Sequence, residues 1–588
     1  MKYARCLRPL VLLLLACVAD TTRAAAPTER PNVVVLLADD QGWGDLSING
    51  NTNLATPRID SLASDGAMLD RFYVSPVCSP TRAEFLTGRY YPRGGVYGTM
   101  ARAERLNLDE RTIAETFRAA GYATGAFGKW HNGSQGPYHP NARGFDEFYG
   151  ITSGHHAHYL DAPMDHNGRT VRGRGFIVDD LTDRALAFIE QQRRRPFFVY
   201  LPFNTPHSPM QVPDRFYAKF ARAELTLRDR EPEQEDLAHT RAALAMVENI
   251  DWNVGRLLDR LEQLGLARNT VVLYFSDNGP NGRRWNGDMK GRKGAVDEGG
   301  VRAPFLIRWP GRIRAGLRVP QIAAAIDLLP TLADLAGIPL IGTKPLDGQS
   351  IAPLLLGTTT AWPDRRLFSF RIQGQVSVRT QQYRLDPAGA LFDLAADPGQ
   401  YTNIAAQHPA LVAELRAAAA AMKREVIDAR GPDDRPLPVG WGTVTILPAG
   451  DATVAGAVKP SNRFNNASYF TAWSETSGVV TWEVELMQAG DYEAVIEYAC
   501  PAADVGATLE LAFAGRTLAA KVTAAHDPPL LGAAEDRVPR VESYTKDWKP
   551  LSLGTLHLAQ GRGPLTLRAT AIPGRQAAEV ASLTLVRR

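Results

Sequence analysis

The sequence predicts an α/β protein, a largely parallel sheet sandwiched by helices, with a smaller α+β unit and an appended all-β sandwich after it. Three observations carry this expectation. Short, nearly continuous apolar runs alternate with helical patterns through the first half of the chain. A turn-rich stretch, 431–438, then carries no periodicity at all. Beyond it the texture changes to short alternating strands with glycine-containing turns.

The runs Asn32–Ala38, 122–128, 197–203 and Thr270–Ser276 are continuous rather than alternating, as strands buried on both faces are. Helical patterns at 112–120, 179–191 and 239–264 separate them. With 1–26 set apart as a leader, this unit spans 27–339. The next, 340–430, holds strand candidates at 367–371, 375–379 and 382–385 and closes on an alanine-rich helix at 409–428. Residues 431–440 read as a linker. In 441–588, strands at 481–486 and 492–498 flank the turn Gln488-Ala489-Gly490-Asp491, and others follow at Thr508–Phe513, 551–558, 565–569 and 581–586. That spacing suits a jelly-roll-like sandwich.

Composition removes several function classes. The 588 residues are 45% hydrophobic and 22% charged, which is globular rather than disordered or fibrous. Lys+Arg 66 against Asp+Glu 63 leaves +3, without the one-sided basic footprint of a nucleic-acid partner. Four cysteines exclude a disulfide-built scaffold. Lys2, Arg5 and Arg8 precede an apolar run and Arg23-Ala24-Ala25-Ala26, the layout of a secretory signal peptide. The chain is therefore expected to be exported, periplasmic or secreted, with no transmembrane span. Leu14-Leu15-Ala16-Cys17 loosely fits a lipoprotein cleavage box and leaves lipid anchoring at Cys17 open. Export would make Cys78 an unpaired thiol in an oxidising compartment, a liability unless its reactivity is used or it is chemically converted.

Ligands in open α/β sheets bind beyond the carboxyl ends of the strands. There the sequence places Asp39-Asp40 and Asp277-Asn278-Gly279. Their hard oxygens suit Ca²⁺ or Mg²⁺, although each pair alone is also ordinary turn material. The other strand ends lead into Lys129-Trp130-His131 and Asn204-Thr205-Pro206-His207, and Lys293 sits in a glycine-rich loop. A hard metal beside several cations fits an oxyanion: sulfate, phosphate or carboxylate. Cys78 precedes a helix start, where a thiol's pKa is lowered, and Arg82 lies one turn on.

The stretch Cys78-Ser79-Pro80-Thr81-Arg82 with Leu86-Thr87-Gly88-Arg89 resembles the motif of the type I, formylglycine-dependent sulfatases, arylsulfatase-like members of the alkaline-phosphatase superfamily. The likeness runs from Arg30 to about Arg430 and includes Asp39-Asp40-Gln41-Gly42, Gly128-Lys129-Trp130-His131, Pro206-His207 and Ser276-Asp277-Asn278-Gly279. It implies a mixed, largely parallel sheet and a sulfuric ester hydrolase acting on sulfate monoesters, exo-acting on a sulfated carbohydrate. It implies that a formylglycine-generating maturation enzyme oxidises Cys78 to Cα-formylglycine. Ca²⁺ would sit on Asp39, Asp40, Asp277 and Asn278, with residue 78 beside it. Arg82 would hold the attacking hydroxyl, and Lys129 and Lys293 would grip sulfate oxygens. His207 would be the general acid, and His131 would help expel sulfate. A phosphonate or phosphate ester hydrolase of the same superfamily is the nearest alternative. Its two-metal members carry Asp-His where this chain has Asp277-Asn278. An inactive carbohydrate-binding protein is the alternative from another class.

Substrate contacts are expected from His155, His156, His158 and Asp165, in stretches where this family often recognises its substrate and which a solvated loop would equally explain, and from Arg283 and Trp285 at the pocket rim. The terminal sandwich resembles galactose-binding-like jelly rolls. Trp473, Trp482 and Trp548 are read there as core residues in preference to sugar platforms.

Overall fold

The computed structural model describes residues 30–588, so the leader and Cys17 lie outside the described residues. The apolar runs form the strands Asn32–Ala38, Ala123–Lys129, Phe197–Pro202 and Thr270–Ser276, each buried along its whole length. They run parallel at the centre of a ten-stranded sheet. Val35 lies opposite Tyr200 on one side and Leu273 on the other. Val34, Leu36 and Ala38 enter the core on one face, and Val33, Val35 and Leu37 enter the core on the other. Two apolar faces explain why the run is continuous. Toward the edges the pairing turns antiparallel, at Phe305–Arg308 and at Pro163–His166, so the sheet is mixed with a parallel centre.

Helices Ile177–Gln192 and Leu237–Gln263 pack into the first core, and Cys78–Thr87, Ile113–Ala119 and Leu328–Leu335 into the second. Gly128, just before Lys129, has φ +142°, and a Cβ there would lie 1.8 Å from the Pro202 carbonyl oxygen. Gly128→Ala is therefore expected to cost ~2 kcal/mol or more of stability. Chemical denaturation checks this, and an unchanged transition would contradict it.

A second sheet of four antiparallel strands, Leu367–Phe370, Val376–Arg379, Tyr383–Leu385 and Leu391–Asp393, packs on the helix Pro409–Val426. Its fourth strand, Leu391–Asp393, is only three residues long and gives no periodic signal in the sequence.

The remaining chain forms two six-stranded sheets around a shared core that contains Trp473 and Trp482, both fully buried. Trp548 is half-buried. Leu437–Val439 pairs in parallel with Val479–Leu486, so a strand begins inside the stretch read as linker. That stretch is also tied down. The Arg105 guanidinium donates to the carbonyls of Arg435 and Pro436, both at 2.6 Å. Side-chain bonds from Gln135 to Asp451 (2.9 Å) and from Gln211 to Asp536 (2.8 Å) hold the sandwich against the α/β unit near the strand ends. Cys78 and Cys500 are both free and buried.

Candidate active site

Adjacent parallel strands bring their carboxyl ends together, so Asp39-Asp40 and Asp277-Asn278 become neighbours. The Asp40 amide donates to Asp277 Oδ1 (3.1 Å), and Asn278 Nδ2 donates to Asp40 Oδ1 (2.7 Å). Asp40 takes this position with φ 64°, in the left-handed region. A buried ion pair between Arg284 and Asp45 (2.6 Å) supports the turn, and Arg284 also donates to the Asp40 carbonyl (2.9 Å).

Cys78 is the first residue of its helix, and every residue of that helix is buried. Its Sγ lies 3.3 Å from Asp39 Oδ1 and 3.9 Å from Asp40 Oδ1. Burial first, then Asp277 and Asp39, push the Cys78 thiol well above its ordinary range. The helix start does not lower it, as the sequence reading expected, because desolvation and two carboxylates outweigh the helix dipole. Thr81 Oγ1 donates to the Asp277 carbonyl (2.6 Å) and so locks this helix to the strand end.

The cations sit on the carboxylates. Arg82 donates to Asp277 Oδ2 (2.7 Å) and to the Lys129 carbonyl (2.7 Å). Lys129 Nζ bonds Asp39 Oδ2 at 2.6 Å, and Lys293 Nζ lies 2.7 Å from Asp40 Oδ1. Burial alone would raise Asp40, but Lys293, His207 and Lys129 outweigh it and hold the carboxyl well below the usual range. Burial, then Asp39, push Asp277 up to about 6 despite Arg82.

Three histidines share the pocket wall with Cys78 and Lys293, in a cavity of about 180 Å³. His207 Nδ1 donates to the Ser208 carbonyl (2.7 Å), which leaves Nε2 3.7 Å from Asp40. Burial, then Lys293, lower His207 to about 4. His131, with φ 60°, donates from Nε2 to the Thr99 carbonyl (2.9 Å), leaving a buried and bare Nδ1. Burial, then Lys129, hold it well below its ordinary range. His155 has both ring nitrogens without partners.

Asp39, Asp40, Cys78 and His207 each offer a ligand atom within 4.8 Å of the others. Asn278 Oδ1 is buried and unpartnered beside them. Both Asp277 oxygens accept protein hydrogen bonds, from the Asp40 amide and from Arg82. The concentration of hard oxygens and the orphaned Asn278 Oδ1 fit a hard divalent cation.

The family model described as Sulfatase matches residues 31–338, more than half of the chain. The chain belongs to the sulfatase family. A second model, N-sulphoglucosamine sulphohydrolase, C-terminal, matches residues 292–426. Human arylsulfatase A is 34% identical over 432 residues, covering 66% of this chain and 81% of that protein. Mouse N-acetylgalactosamine-6-sulfatase is 32% identical over 417 residues, covering 65% and 76%. Among solved structures, Ps i-CgsB in complex with k-i-k-neocarrahexaose superposes with a TM-score of 0.61 at 29% identity, covering 68% of this chain and 94% of that one. This sulfatase is thus an arylsulfatase-like sulfuric ester hydrolase.

The expected catalytic and metal residues of the sulfatase all meet at the one set of strand ends. The expected substrate residues scatter. His155 lines the inner pocket, and His156 and Asp165 line a larger cleft beside it. His158 lies 3.8 Å from Glu535, Arg283 pairs with Glu231 (2.9 Å), and Trp285 leans on Trp43; none of the three lines either cavity. Phe464, Asn466 and Glu542, from the terminal sandwich, do line the inner pocket. No local sequence signal marks them, because they reach it only through the packing of one unit on another.

Proposed function

We propose that this sulfatase hydrolyses sulfate monoesters of a carbohydrate, with residue 78 acting in its formylglycine form beside a Ca²⁺ ion. One observation carries the reading: Cys78 and Lys293 line one small pocket and are joined there to a buried network of Asp39, Asp40, Asp277, Arg82 and Lys129. Asp39, Asp40, Asp277 and Asn278 would hold the ion, with residue 78 at its edge. When present, the aldehyde hydrate supplies a hydroxyl nucleophile and the ion supplies Lewis-acid polarisation of sulfate.

The chain's own residues do the rest. Arg82, fixed by Asp277 and the Lys129 carbonyl, keeps positive charge behind residue 78. Lys293 faces the pocket and stabilises charge on sulfate oxygens, with Lys129 behind it on Asp39. His207 carries its Nδ1 proton on Ser208, so Nε2 is the atom that passes a proton to the departing oxygen. An anionic ester next to His207 raises its proton affinity and opposes the burial and Lys293 that hold it near 4. His131 leaves Nδ1 bare as the atom that would take up a proton, and a bound anionic ester would oppose the burial and Lys129 that lower its proton affinity.

Among the described residues no helix is long and apolar enough to cross a membrane. With the signal-like first 26 residues, we read the protein as exported, and as a client of a formylglycine-generating enzyme. Residues 27–339 with 340–430 are taken as the catalytic unit and 441–588 as its appended sandwich.

The test is kcat/KM of matured protein on 4-nitrophenyl sulfate, 4-nitrophenyl phosphate and sugar monosulfates, for the native chain and His207→Gln. The native chain is expected to prefer the sulfate over the phosphate. The variant is expected to lose about 10²-fold or more on sugar sulfates but far less on 4-nitrophenyl sulfate, whose leaving group needs no proton. Preference for phosphate, or equal losses on both sulfates, would contradict the assignment.

A further inference from the structure

The larger cleft, about 540 Å³, lies between the α/β unit and the terminal sandwich, and shares His155 with the inner pocket. We propose that it is a second sugar site, taking an uncharged sugar linked to the sulfated sugar in the Cys78 pocket. The proposal rests on the sulfatase reading and names the substrate class: a sulfated sugar joined to a neutral one.

Three observations support it. His155 is 6% exposed, yet neither ring nitrogen has a hydrogen-bond partner among the described residues. A neutral imidazole offers one donor and one acceptor, which hydroxyls on two joined sugars can satisfy from either side. The sandwich then completes the inner pocket. Glu542 Oε1 accepts from Ser208 Oγ (2.6 Å), next to His207, while its Oε2 is buried without a partner. An unpaired carboxylate oxygen at that rim is an acceptor for a sugar hydroxyl.

The third observation is the chemistry of the outer cleft. Trp441 lines it and is 52% exposed, an unusual state for so large an apolar ring. Trp548 lines it too, with its Nε1 tied to Thr545 Oγ1 at 3.1 Å. The exposed Trp441 indole, beside the half-buried Trp548, suits the apolar face of a pyranose in a concave site. Among the described residues no lysine or arginine lines the cleft, and its carboxylate, Asp165, is occupied by His139 at 3.1 Å. A sulfated or uronic sugar would bring a negative charge to a wall that offers no lysine or arginine and already holds Asp165. Lys293 lines the inner pocket, with Arg82 and Lys129 on the carboxylates behind Cys78, where the scissile sulfate goes.

The experiment uses matured full-length protein and compares kcat/KM on 4-methylumbelliferyl sulfate with galactose and N-acetylgalactosamine monosulfates. Each monosulfate is supplied free, linked to neutral galactose, and linked to glucuronic acid. The neutral disaccharide is expected to exceed its monosaccharide by about tenfold and the glucuronide to fall below it. Trp441→Ala should lower the ratio of disaccharide to aryl sulfate turnover by about tenfold, whereas Trp252→Ala, remote and exposed, should leave that ratio alone. An unchanged ratio in Trp441→Ala, a glucuronide as good as the neutral disaccharide, or aryl sulfate turnover with no disaccharide desulfated would overturn the second site. Absence of turnover of every sulfate ester offered, aryl and sugar alike, in the matured protein would instead remove the sulfatase reading on which the site rests.

Discussion

Cys78→Ala is expected to lower kcat/KM on an aryl sulfate by on the order of 10⁴ or more, the loss that follows when a covalent nucleophile is removed. The structure gives the reason. Sγ is the side-chain atom at the start of a wholly buried helix, 3.3 Å from Asp39 and within the wall of the pocket. Alanine keeps the helix and fills most of the same volume, so folding should be preserved, as circular dichroism would show. Substrate affinity should survive better than turnover, because Lys293, His207 and His155 still line the pocket. Activity within about tenfold of the native chain would mean that residue 78 is not the nucleophile.

Asp40→Asn should be nearly as damaging, for a different reason. Asparagine is an isostere and tolerates the left-handed φ of 64°, so the turn is retained and only charge is lost. That charge is fully buried and meets Lys293 Nζ at 2.7 Å, Asn278 Nδ2 at 2.7 Å and His207 Nε2 at 3.7 Å. Its removal leaves the Lys293 ammonium facing a neutral amide and takes one hard anionic oxygen from the cation site. Calcium affinity is expected to fall by 10-fold or more, about the loss on removing a supporting ligand, and kcat/KM by about 10³. Atomic absorption after dialysis against graded free Ca²⁺ gives a reading independent of activity. Unchanged calcium content in the variant would take Asp40 out of the ligand set.

The central strands were legible because both of their faces are buried. Val33 to Ala38 alternate between two cores, and the sequence shows that as an unbroken apolar run. The strand-end residues were legible for the same reason, since a parallel sheet must bring such ends together. Trp482 could be placed in the core from its alternation with Val480 and Val484. Trp441 carried no such pattern, and its exposure follows from where the sandwich docks. Nearness in sequence does not separate Arg283-Arg284-Trp285: Arg284 turns inward to Asp45, Trp285 packs toward Trp43, and Arg283 lines a neighbouring cleft that Lys293 also lines. Thr99, Phe464, Asn466 and Glu542 reach the pocket from distant loops, through contacts that no local periodicity encodes.

The most direct test of the account is the mass of the peptide containing residue 78, from full-length protein made in a host that converts a control sulfatase. An aldehyde is expected at residue 78 in place of the cysteine thiol. An intact thiol in protein that hydrolyses aryl sulfates, or in protein with no sulfatase activity, would contradict it.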